Sequence, residues 1–330
     1  MDRHLAPDLR ALRAAAATVV EHAVPGQLLM LTSTTYVGTT RDLLTEPLTE
    51  RGFTVGEDVF VAFSPERIDP GNARHTQDTT PRVVGGVGQA TIDRAIDVLA
   101  RTASSVYVLD SPEAAEMTKL WENTFRAVNI ALANEFADNC RVLGLDPIPV
   151  IEAAATKPFG FMPFYPGPGV GGHCIPCDPH YLLWQLRAER VTSPLVEAAM
   201  NNIASRPHHV VRRVREALGE RGRPLTGARV LIVGMAYKPG VEDLRESPAL
   251  EIFDELVREG AQVRFTDSLI RAARVADGIQ ESVIDPQTHE WDLVLVHTVH
   301  PGADLTWLDD RDDVLDATYR LDTVAAKETL

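Results

Sequence analysis

The sequence has few cysteines and no long hydrophobic run. Three cysteines in 330 residues are too few for a disulfide scaffold and are typical of a protein kept in a reducing cytosol. The longest early apolar stretch, Ala14–Val20, ends at Glu21 and is followed by no cleavage-site pattern. We therefore expect a cytoplasmic protein that has neither a signal peptide nor a membrane span.

Positively charged residues are also scarce, and lysine is much rarer than arginine. The formal net charge is -15, which argues against nucleic acid or an anionic membrane as a partner. Only four of the 32 basic residues are lysines. Three of these, Lys119, Lys157 and Lys238, lie in the motif segments described below. Lysine is a compact charge whose pKa shifts on burial, so these positions favour a functional role over chance placement.

The sequence lacks a complete G-x-G-x-x-G fingerprint, the loop that seats a dinucleotide pyrophosphate on a helix N-terminus. The nearest match is Val83–Gly88. Gly86 and Gly88 fit its first two glycine positions, but Thr91 stands where the third small residue belongs. Asp110 ends the next predicted strand at a suitable distance. We expect this segment not to be a true dinucleotide loop.

The first third of the chain alternates helical and strand patterns. Helices are predicted near Asp8–Glu21, Thr40–Arg51 and Gln89–Arg101, and strands at Gln27–Leu31, Val59–Phe63, Arg82–Val84 and Ser105–Leu109. This alternation predicts a parallel, doubly wound sheet, in which ligands bind beyond the carboxyl ends of the strands. Thr32–Thr35 and Ser64–Arg67 follow two of these strands. They are either plain turns or, as their similar placement favours, parts of one ligand site.

The middle of the chain is helical. Met117, Leu120, Trp121, Thr124 and Val128 begin a helical period that runs from Glu113 to Cys140. A helix of this length suggests a connecting or dimer-forming element. Lys119 and Asn123 lie four residues apart and share one face, which is either functional or a solvated polar stripe. Further helices are predicted at Pro147–Ala155, Cys177–Arg187 and Pro194–Leu218.

A second α/β pattern follows a basic segment, Arg221–Gly227, which we interpret as a linker. Strands are predicted at Ala228–Val233, Gln262–Phe265, Trp291–Val296 and Val314–Leu315, and a helix capped by Ser247 at Pro248–Arg258. The loop after the first of these strands carries Lys238 and Arg245. It suits a nucleotide held by charge and hydrogen bonds, and an ordinary surface loop is the alternative.

The segment Gly167–Asp178 carries the strongest chemical signal, since four glycines precede Cys174. Such glycines permit tight turns and close approach of a ligand to the backbone, and a thiol is a strong nucleophile near neutral pH. A plain Pro/Gly loop with an incidental cysteine is the alternative. A zinc or redox module is a third interpretation and a weak one, because its four ligands would need a very tight loop. These ligands would be His173, Cys174, Cys177 and His180.

Motifs along nearly the whole chain resemble those of the UDP-glucose/GDP-mannose dehydrogenase family of nucleotide-sugar 6-dehydrogenases. They are Ser33–Tyr36, Ser64–Asn72, Arg82–Gly86, Glu116–Leu120, Gly167–Asp178 and Tyr237–Pro239. The second and fifth are most similar to the branch that acts on UDP-N-acetylhexosamines. The resemblance implies an α/β fold with three domains. These are a truncated Rossmann-like NAD domain (1–111), an all-helical central domain with a dimer helix (112–220) and a Rossmann-like UDP-binding domain (221–330).

The resemblance also implies a mechanism. The family oxidises the 6-hydroxyl of the sugar to a carboxylate in two hydride transfers to NAD+. Cys174 matches the nucleophile that forms a thiohemiacetal and then a thioester. Lys119 and Asn123 match residues that stabilise the developing oxyanion. Asp178 matches the carboxylate near the hydrolytic water, which Thr34 and Glu66 help to position. The resemblance does not distinguish which of these roles belongs to Lys119, to Asp178 and to Glu66.

The same matches imply binding residues and partners. The implied substrate contacts are Glu66, Arg67, Lys119, Asn123, Tyr165, Gly167, Gly169, Gly171 and Lys238, and the implied NAD contacts are Ser33, Thr34, Cys174 and Arg245. We expect a UDP-sugar as substrate, NAD as cofactor, no metal, and a homodimer built on the long helix. The family's role in polysaccharide biosynthesis is expected as well.

The sequence departs from the family at its start, since about 90 residues of the NAD domain have no counterpart. No clear arginine precedes Tyr165 where some members reach across the dimer, and Lys157 is a possible substitute. We therefore expect the 330-residue chain to bind a UDP-sugar without measurable NAD+ binding or turnover. A non-catalytic remnant that binds UDP-sugar is the alternative to an enzyme.

Overall fold

The computed structural model describes residues 5–69, 76–321, 324 and 327–330. Part of one predicted motif, residues 70–72, lies outside the described residues. The chain divides into two compact units, one comprising residues 1–125 and 177–196 and the other residues 126–176 and 197–330. The predicted three-domain boundaries at 111/112 and 220/221 stay a prediction.

The first unit contains a four-stranded sheet in the order β1-β2-β3-β4. The strands are β1 Leu28–Leu31, β2 Phe60–Phe63, β3 Arg82–Gly86 and β4 Val106–Leu109. The helices are α1 Arg10–Glu21, α2 Glu46–Glu50 and α3 Gln89–Leu99, and a π-helical turn, Arg41–Thr45, leads into α2. Alternate side chains of β2 pack on opposite faces: Val61 contacts the cluster of α1 and α2, and Ala62 contacts α3. Helices therefore cover both faces of this strand, as in a doubly wound sheet.

One strand pair of this sheet differs from the prediction. β1 pairs with β2 and β3 pairs with β4 in parallel, but β2 and β3 are antiparallel. A parallel connection needs a crossover element, usually a helix. The described part of the segment between residues 63 and 82 contains none. The expectation of a wholly parallel sheet was wrong at this pair.

The predicted central helices are all present. They are α4 Pro112–Val142, α5 Pro147–Ala155, α6 Asp178–Ala188 and α7 Pro194–Glu220. The bounds of α4 lie within two residues of the prediction at each end. Asp146 caps α5 by accepting a hydrogen bond from the backbone N–H of Ile148 at 3.0 Å. None of the helices in the described residues is long and apolar enough to cross a membrane.

The second unit contains a five-stranded, wholly parallel sheet in the order β11-β10-β9-β5-β6. Its strands are β5 Arg229–Val233, β6 Gln262–Thr266, β9 Leu293–Val296, β10 Val314–Asp316 and β11 Glu328–Thr329, with helix α8 Pro248–Arg258 packed on the sheet. All four residues of β9 are buried, so both faces of the sheet centre are covered. β5 and β9 lie at the point where the strand order reverses, which is where doubly wound sheets bind ligands.

Two features of this unit differ from the sequence interpretation. A two-stranded antiparallel hairpin, β7 Ala272–Val275 and β8 Gly278–Glu281, was not predicted. Its turn residues are Ala276 and Asp277, and the glycine that follows them, Gly278, is a hairpin signal that could have found it. The supposed linker 221–227 lies inside the second unit, where Leu225 is buried and the N–H of Gly227 donates to the Gly260 carbonyl.

Candidate active site

The two polar segments that follow β1 and β2 lie at the same edge of the first sheet. The parallel register pairs Leu31 with Phe63, so the residues after each strand emerge side by side. The segments Thr32–Thr35 and Ser64–Arg67 therefore share one edge, and the expectation that they form one ligand site stays a prediction. Within the first segment, Ser33 is exposed, Thr34 is half-buried and Thr35 is buried.

Lys119 on α4 is held by the second of these segments. Its ammonium donates to the backbone carbonyl of Glu66 at 2.9 Å. The Glu66 carboxylate instead accepts from the Arg82 guanidinium at 2.9 Å and from two backbone N–H groups. Burial raises the pKa of Glu66, but these bonds outweigh it and hold the pKa below its ordinary value. Glu66 is therefore a paired carboxylate, and its carbonyl orients Lys119.

Arg67 anchors the same segment to α4. Its guanidinium bonds the Glu122 carboxylate at 2.5 Å and the Pro81 carbonyl at 2.9 Å. The predicted contact of Arg67 with substrate stays a prediction, and the structure gives this side chain a positioning role.

Asp178 is a buried carboxyl group of the first unit whose pKa is strongly raised. It begins α6, is 2% exposed, and accepts a hydrogen bond of 2.5 Å from the Asn123 side-chain amide on α4. Burial raises the pKa of Asp178 to about 6, even though the Asn123 bond and the charge of Lys119 lower it. A carboxyl group in this range exchanges a proton readily near neutral pH.

Glu116 fixes the segment that follows β1, a role that the sequence analysis missed. Its buried carboxylate accepts from the Gly38 N–H at 2.5 Å, the Thr40 N–H at 2.8 Å and the Thr40 hydroxyl at 2.7 Å. Gln185 on α6 adds bonds to both backbone groups of Val37, at 3.0 and 2.7 Å. The one available signal was spacing, because Glu116 shares a helix face with Lys119 and Asn123.

In the second unit, Arg206 holds the start of the cysteine loop. This buried side chain donates to the Gly167 carbonyl at 3.0 Å and to the Asp138 carboxylate at 2.8 Å. The Asn134 side chain accepts from the Gly167 N–H at 2.9 Å. Tyr165, just before this anchor, is 44% exposed and available to a ligand.

The later glycines of this loop pack against the loop that carries Lys238. A Cβ on Gly171 would lie 2.5 Å from the Tyr237 Cβ and 2.6 Å from the Glu246 carbonyl. A Cβ on Gly169 would lie 2.8 Å from Pro248. The Gly172 N–H donates to the Arg245 carbonyl at 2.9 Å. From the sequence, these glycines were expected to permit close approach of a ligand; in the structure they permit close approach of other protein segments.

The two cysteines of the loop have different surroundings. Cys174 is exposed, whereas Cys177 is half-buried at the N-cap of α6. Asp243 binds Arg245 at 2.7 Å and raises the pKa of that guanidinium, and the charge of Cys174 contributes in the same direction. In the described part of the chain, no group of three or more His, Cys, Asp or Glu side chains is arranged to hold a metal ion.

The near-miss glycine segment spans the end of β3 and the turn into α3, and its two strand glycines, Gly85 and Gly86, are used in packing, whereas a Cβ on Gly88 would meet no atom within 4 Å. A Cβ on Gly85 would lie 1.9 Å from the Ser111 carbonyl, and one on Gly86 would lie 2.8 Å from the Thr91 side chain. The space beside Gly86 is thus filled by protein, which does not suit a pyrophosphate. The fit to NAD is better at the end of β1, where Ser33 and Thr34 present hydroxyls at the carboxyl edge of the sheet.

A cavity of about 1040 Å³ opens at the carboxyl edge of the second sheet. It borders the ends of β5, β6 and β9, and Gly234, the first residue of the Lys238 loop, lines it. Polar and aromatic side chains of its wall include Asp267, Arg271, Gln287, Asp304 and Trp307. This edge offers room for a nucleotide-sized ligand.

The predicted site residues fall into two sets. The first unit contains Ser33, Thr34, Glu66, Arg67, Lys119, Asn123 and Asp178, and the second contains Tyr165, Gly167, Gly169, Gly171, Cys174, Lys238 and Arg245. Within the first set, hydrogen bonds link Lys119 to Glu66 and Asn123 to Asp178. Within the second set, packing brings the cysteine loop against the Lys238 loop.

Three parts of the chain match the three domains of one dehydrogenase family in order. Residues 1–121 match the NAD binding domain of the UDP-glucose/GDP-mannose dehydrogenase family, residues 113–203 its central domain and residues 231–326 its UDP binding domain. The chain belongs to this family, which confirms the resemblance and the fold class inferred from the motifs.

Individual relatives agree with this assignment. The chain is 33% identical to the UDP-N-acetyl-D-glucosamine 6-dehydrogenase of Pseudomonas aeruginosa, over 92% of the chain and 69% of the relative. It is 36% identical to the UDP-N-acetyl-D-mannosamine dehydrogenase of Pyrococcus horikoshii, over 89% and 68%. The solved structure of a UDP-D-ManNAc dehydrogenase from P. horikoshii matches with a TM-score of 0.86 at 28% identity, over 99% of this chain and 77% of that one. The chain spans 63% of protein CapL of Staphylococcus aureus, to which it is 34% identical over 81% of its own length.

Proposed function

We propose that the chain acts in the NAD-dependent oxidation of the 6-hydroxyl of a UDP-N-acetylhexosamine to the uronic acid. The observation that carries this proposal is the buried Asp178, which is held by Asn123 and lies within the field of Lys119. An ammonium beside a carboxyl that titrates near pH 6 suits a reaction that generates an oxyanion and then consumes water. Two of the relatives are named as dehydrogenases of UDP-N-acetyl-D-glucosamine and UDP-N-acetyl-D-mannosamine, which supports this substrate class.

The chain's own residues would divide the chemistry as follows. The 6-hydroxyl would first lose a hydride and a proton to give an aldehyde. The Cys174 sulfur would add to the aldehyde carbon, and loss of a second hydride and a proton would convert the resulting thiohemiacetal to a thioester. Lys119, oriented by the Glu66 carbonyl, stabilises the oxyanion. Asp178 takes a proton from the water that hydrolyses the thioester, which regenerates the thiol. Bound NAD+ supplies the hydride acceptor, and Ser33, Thr34 and Arg245 are the residues that would hold it.

A second candidate function is UDP-sugar binding without turnover. The packing of Gly86 against Thr91 favours it, because the one glycine segment resembling a fingerprint is filled by protein. Calorimetry with UDP-sugars and an assay of NADH formation distinguish the two. The substrates are UDP-glucose, UDP-N-acetylglucosamine and UDP-N-acetylmannosamine. NADH formed with an N-acetyl sugar supports the enzyme, binding without NADH supports the second candidate, and no UDP-sugar binding contradicts both.

We assign the covalent step to Cys174 and not to Cys177. Cys174 is exposed on the glycine loop, whereas Cys177 forms the N-cap position of α6. In an enzyme that turns over, Cys174→Ser should abolish acid formation, while the matched variant Cys177→Ala should keep most of it. Equal loss in both variants would contradict the assignment.

We further propose a homodimer built on α4. Met117, Trp121 and Phe125 recur at four-residue spacing and are 41%, 60% and 40% exposed, which leaves an apolar stripe on one helix face. Light scattering at micromolar concentration should show a dimer that Trp121→Glu dissociates. The control is Arg126→Gln, on a different face of the same helix. A monomer in the unaltered protein would contradict the proposal.

The cellular setting is part of the same proposal. We place the reaction in the cytoplasm, where a sequence with three cysteines keeps its thiols reduced, and the uronic acid product would enter polysaccharide biosynthesis.

A further inference from the structure

The carboxylate at the end of β6 organises the loop that carries Lys238. The Asp267 side chain is buried and accepts backbone N–H groups from Met235 at 2.7 Å and Ala236 at 3.2 Å, the residues that follow Gly234. Its other oxygen accepts the N–H groups of Leu269 and Ile270 at 2.7 and 2.9 Å. Burial alone would raise the pKa of Asp267, but these donors lower it below the ordinary value, so the group is an ionised anchor.

His300 extends this anchor to the far side of the same loop. Its Nδ1 accepts the backbone N–H of Gly240 at 3.0 Å, so Nδ1 is the acceptor nitrogen of the ring. The other nitrogen, Nε2, is therefore the donor, and it donates to the Asp267 carboxylate at 3.2 Å. The side chain is buried among these partners, at 5% exposure.

Lys238 lies between the two attachment points. Ala236, two residues before it, is bound to Asp267, and Gly240, two residues after it, is bound to His300. The Thr298 hydroxyl adds a bond of 2.7 Å to the Ala236 carbonyl. The backbone on both sides of the lysine is thus fixed by residues that follow β6 and β9, two strands of the same parallel sheet.

We infer that Asp267 and His300 are positioning residues, which fix the 235–240 loop so that Lys238 meets the diphosphate or uridine of the nucleotide. The inference rests on the proposed function, because it takes Lys238 to be a nucleotide contact. Fixing the 235–240 loop also affects the cysteine loop, because Gly171 and Gly172 pack against Tyr237 of the same segment. Neither residue was singled out for this role by the sequence.

Two substitutions separate the two bonds of the histidine. An asparagine at 300 places its amide oxygen near the position of Nδ1, so His300→Asn can keep the bond from Gly240 and lose that to Asp267. A glutamine places its amide near the position of Nε2, so His300→Gln can keep the Asp267 bond and lose that from Gly240. The side chains are otherwise similar neutral amides.

The test measures UDP affinity by calorimetry and amide exchange at Gly240 for the unaltered chain and both variants. We expect His300→Gln to weaken UDP binding about tenfold and to speed exchange at Gly240, and His300→Asn to stay within about threefold. A merely structural histidine would lower the melting temperature in both variants and leave the two affinities equal. Equal affinities, with an unaltered chain that binds UDP, overturn the inference.

A double-mutant cycle with Lys238 tests the connection itself. If His300 acts through the position of Lys238, adding His300→Gln to the Lys238→Ala variant should weaken UDP binding by less than about twofold. A full tenfold cost in that background, ~1.4 kcal/mol, would overturn the inference. Failure of the unaltered chain to bind UDP would overturn the proposed function of this domain and the inference with it, an outcome that differs from all the others.

Discussion

The two units build their parts of the candidate site by different means. In the first unit, charged and polar side chains converge on helix α4, where Glu116, Lys119 and Asn123 each hold a different segment. In the second unit, polar side chains hold the start of the cysteine loop, but its later part is placed by glycines that pack tightly against other residues, as at Gly171. The difference teaches that the residues on α4 should be sensitive to the chemistry of a side chain at constant volume. The later part of the cysteine loop should be sensitive to side-chain volume.

The sharpest test of this comparison, and the largest expected effect, concerns two glycines of the second unit. Gly171→Ala places a Cβ 2.6 Å from a backbone carbonyl, so one loop must move. We expect it to lower the free energy of unfolding by about 3 kcal/mol and to abolish UDP binding. Gly167→Ala is the matched control, because a Cβ at that position would meet no other atom within 4 Å.

Gly167→Ala should change the stability by no more than about 0.5 kcal/mol in chemical denaturation. If both variants lose the same stability, volume does not distinguish these positions and the comparison breaks.

The next effect concerns Asp178 in the first unit and depends on pH. Because burial raises the pKa of Asp178 from 3.8 to about 6, the folded chain binds this proton more tightly than the unfolded chain does. The contribution of this group to the free energy of unfolding is therefore full below about pH 4 and is lost as the pH rises to about 6. The loss is on the order of 2–3 kcal/mol.

Asp178→Asn keeps the volume and still offers an oxygen to Asn123. It should unfold at higher denaturant concentration than the unaltered chain at about pH 7.5 and lose its catalytic activity. The difference between the two stability curves should develop between about pH 4 and 6. If the stability curves of the two proteins stay parallel across that range, burial does not destabilise the ionised form of Asp178.

The smallest expected effect concerns Glu116. Glu116→Gln is nearly isosteric, but an amide nitrogen, which cannot accept, replaces one of the two oxygens that accept from the N–H groups of Gly38 and Thr40. We expect a loss of about 1 kcal/mol, since relief of a buried charge offsets part of the lost hydrogen bonding. The matched variant Glu135→Gln, at an exposed position of the same helix, should be neutral in denaturant unfolding. An equal effect at both positions would contradict a role for Glu116 in holding the β1 segment.

Local patterns predicted most of the elements and the long helix within two residues of its bounds, because helical periodicity is strong over many turns. They did not predict the antiparallel pairing of β2 with β3, since a strand pattern carries no record of its neighbour's direction. The shared edge of the two polar segments was predicted correctly because parallel strands end together.

The positioning residues were harder to predict than the residues they position. Glu116 bonds a residue 76 positions earlier, and His300 bonds a loop 60 positions earlier. Such partners are set by tertiary contact, and the helix face that Glu116 shares with Lys119 and Asn123 gave the one local signal for it. The tight glycines were noticed, but their neighbours Tyr237 and Glu246 could only be identified from the fold.

Because Glu116, Lys119 and Asn123 share one face of α4, insertions and deletions within this stretch of the helix should be poorly tolerated. An α-helix turns by about 100° per residue, so inserting or deleting one codon between Glu116 and Asn123 would rotate these side chains away from one another. The helix itself would tolerate such a change, yet the β1 segment, the Glu66 carbonyl and Asp178 would no longer all find their partners. A three- or four-residue insertion, close to one full turn, would restore much of the orientation and displace the partners by about 5 Å along the axis. This stretch should therefore vary in residue type across related genes far more readily than in length.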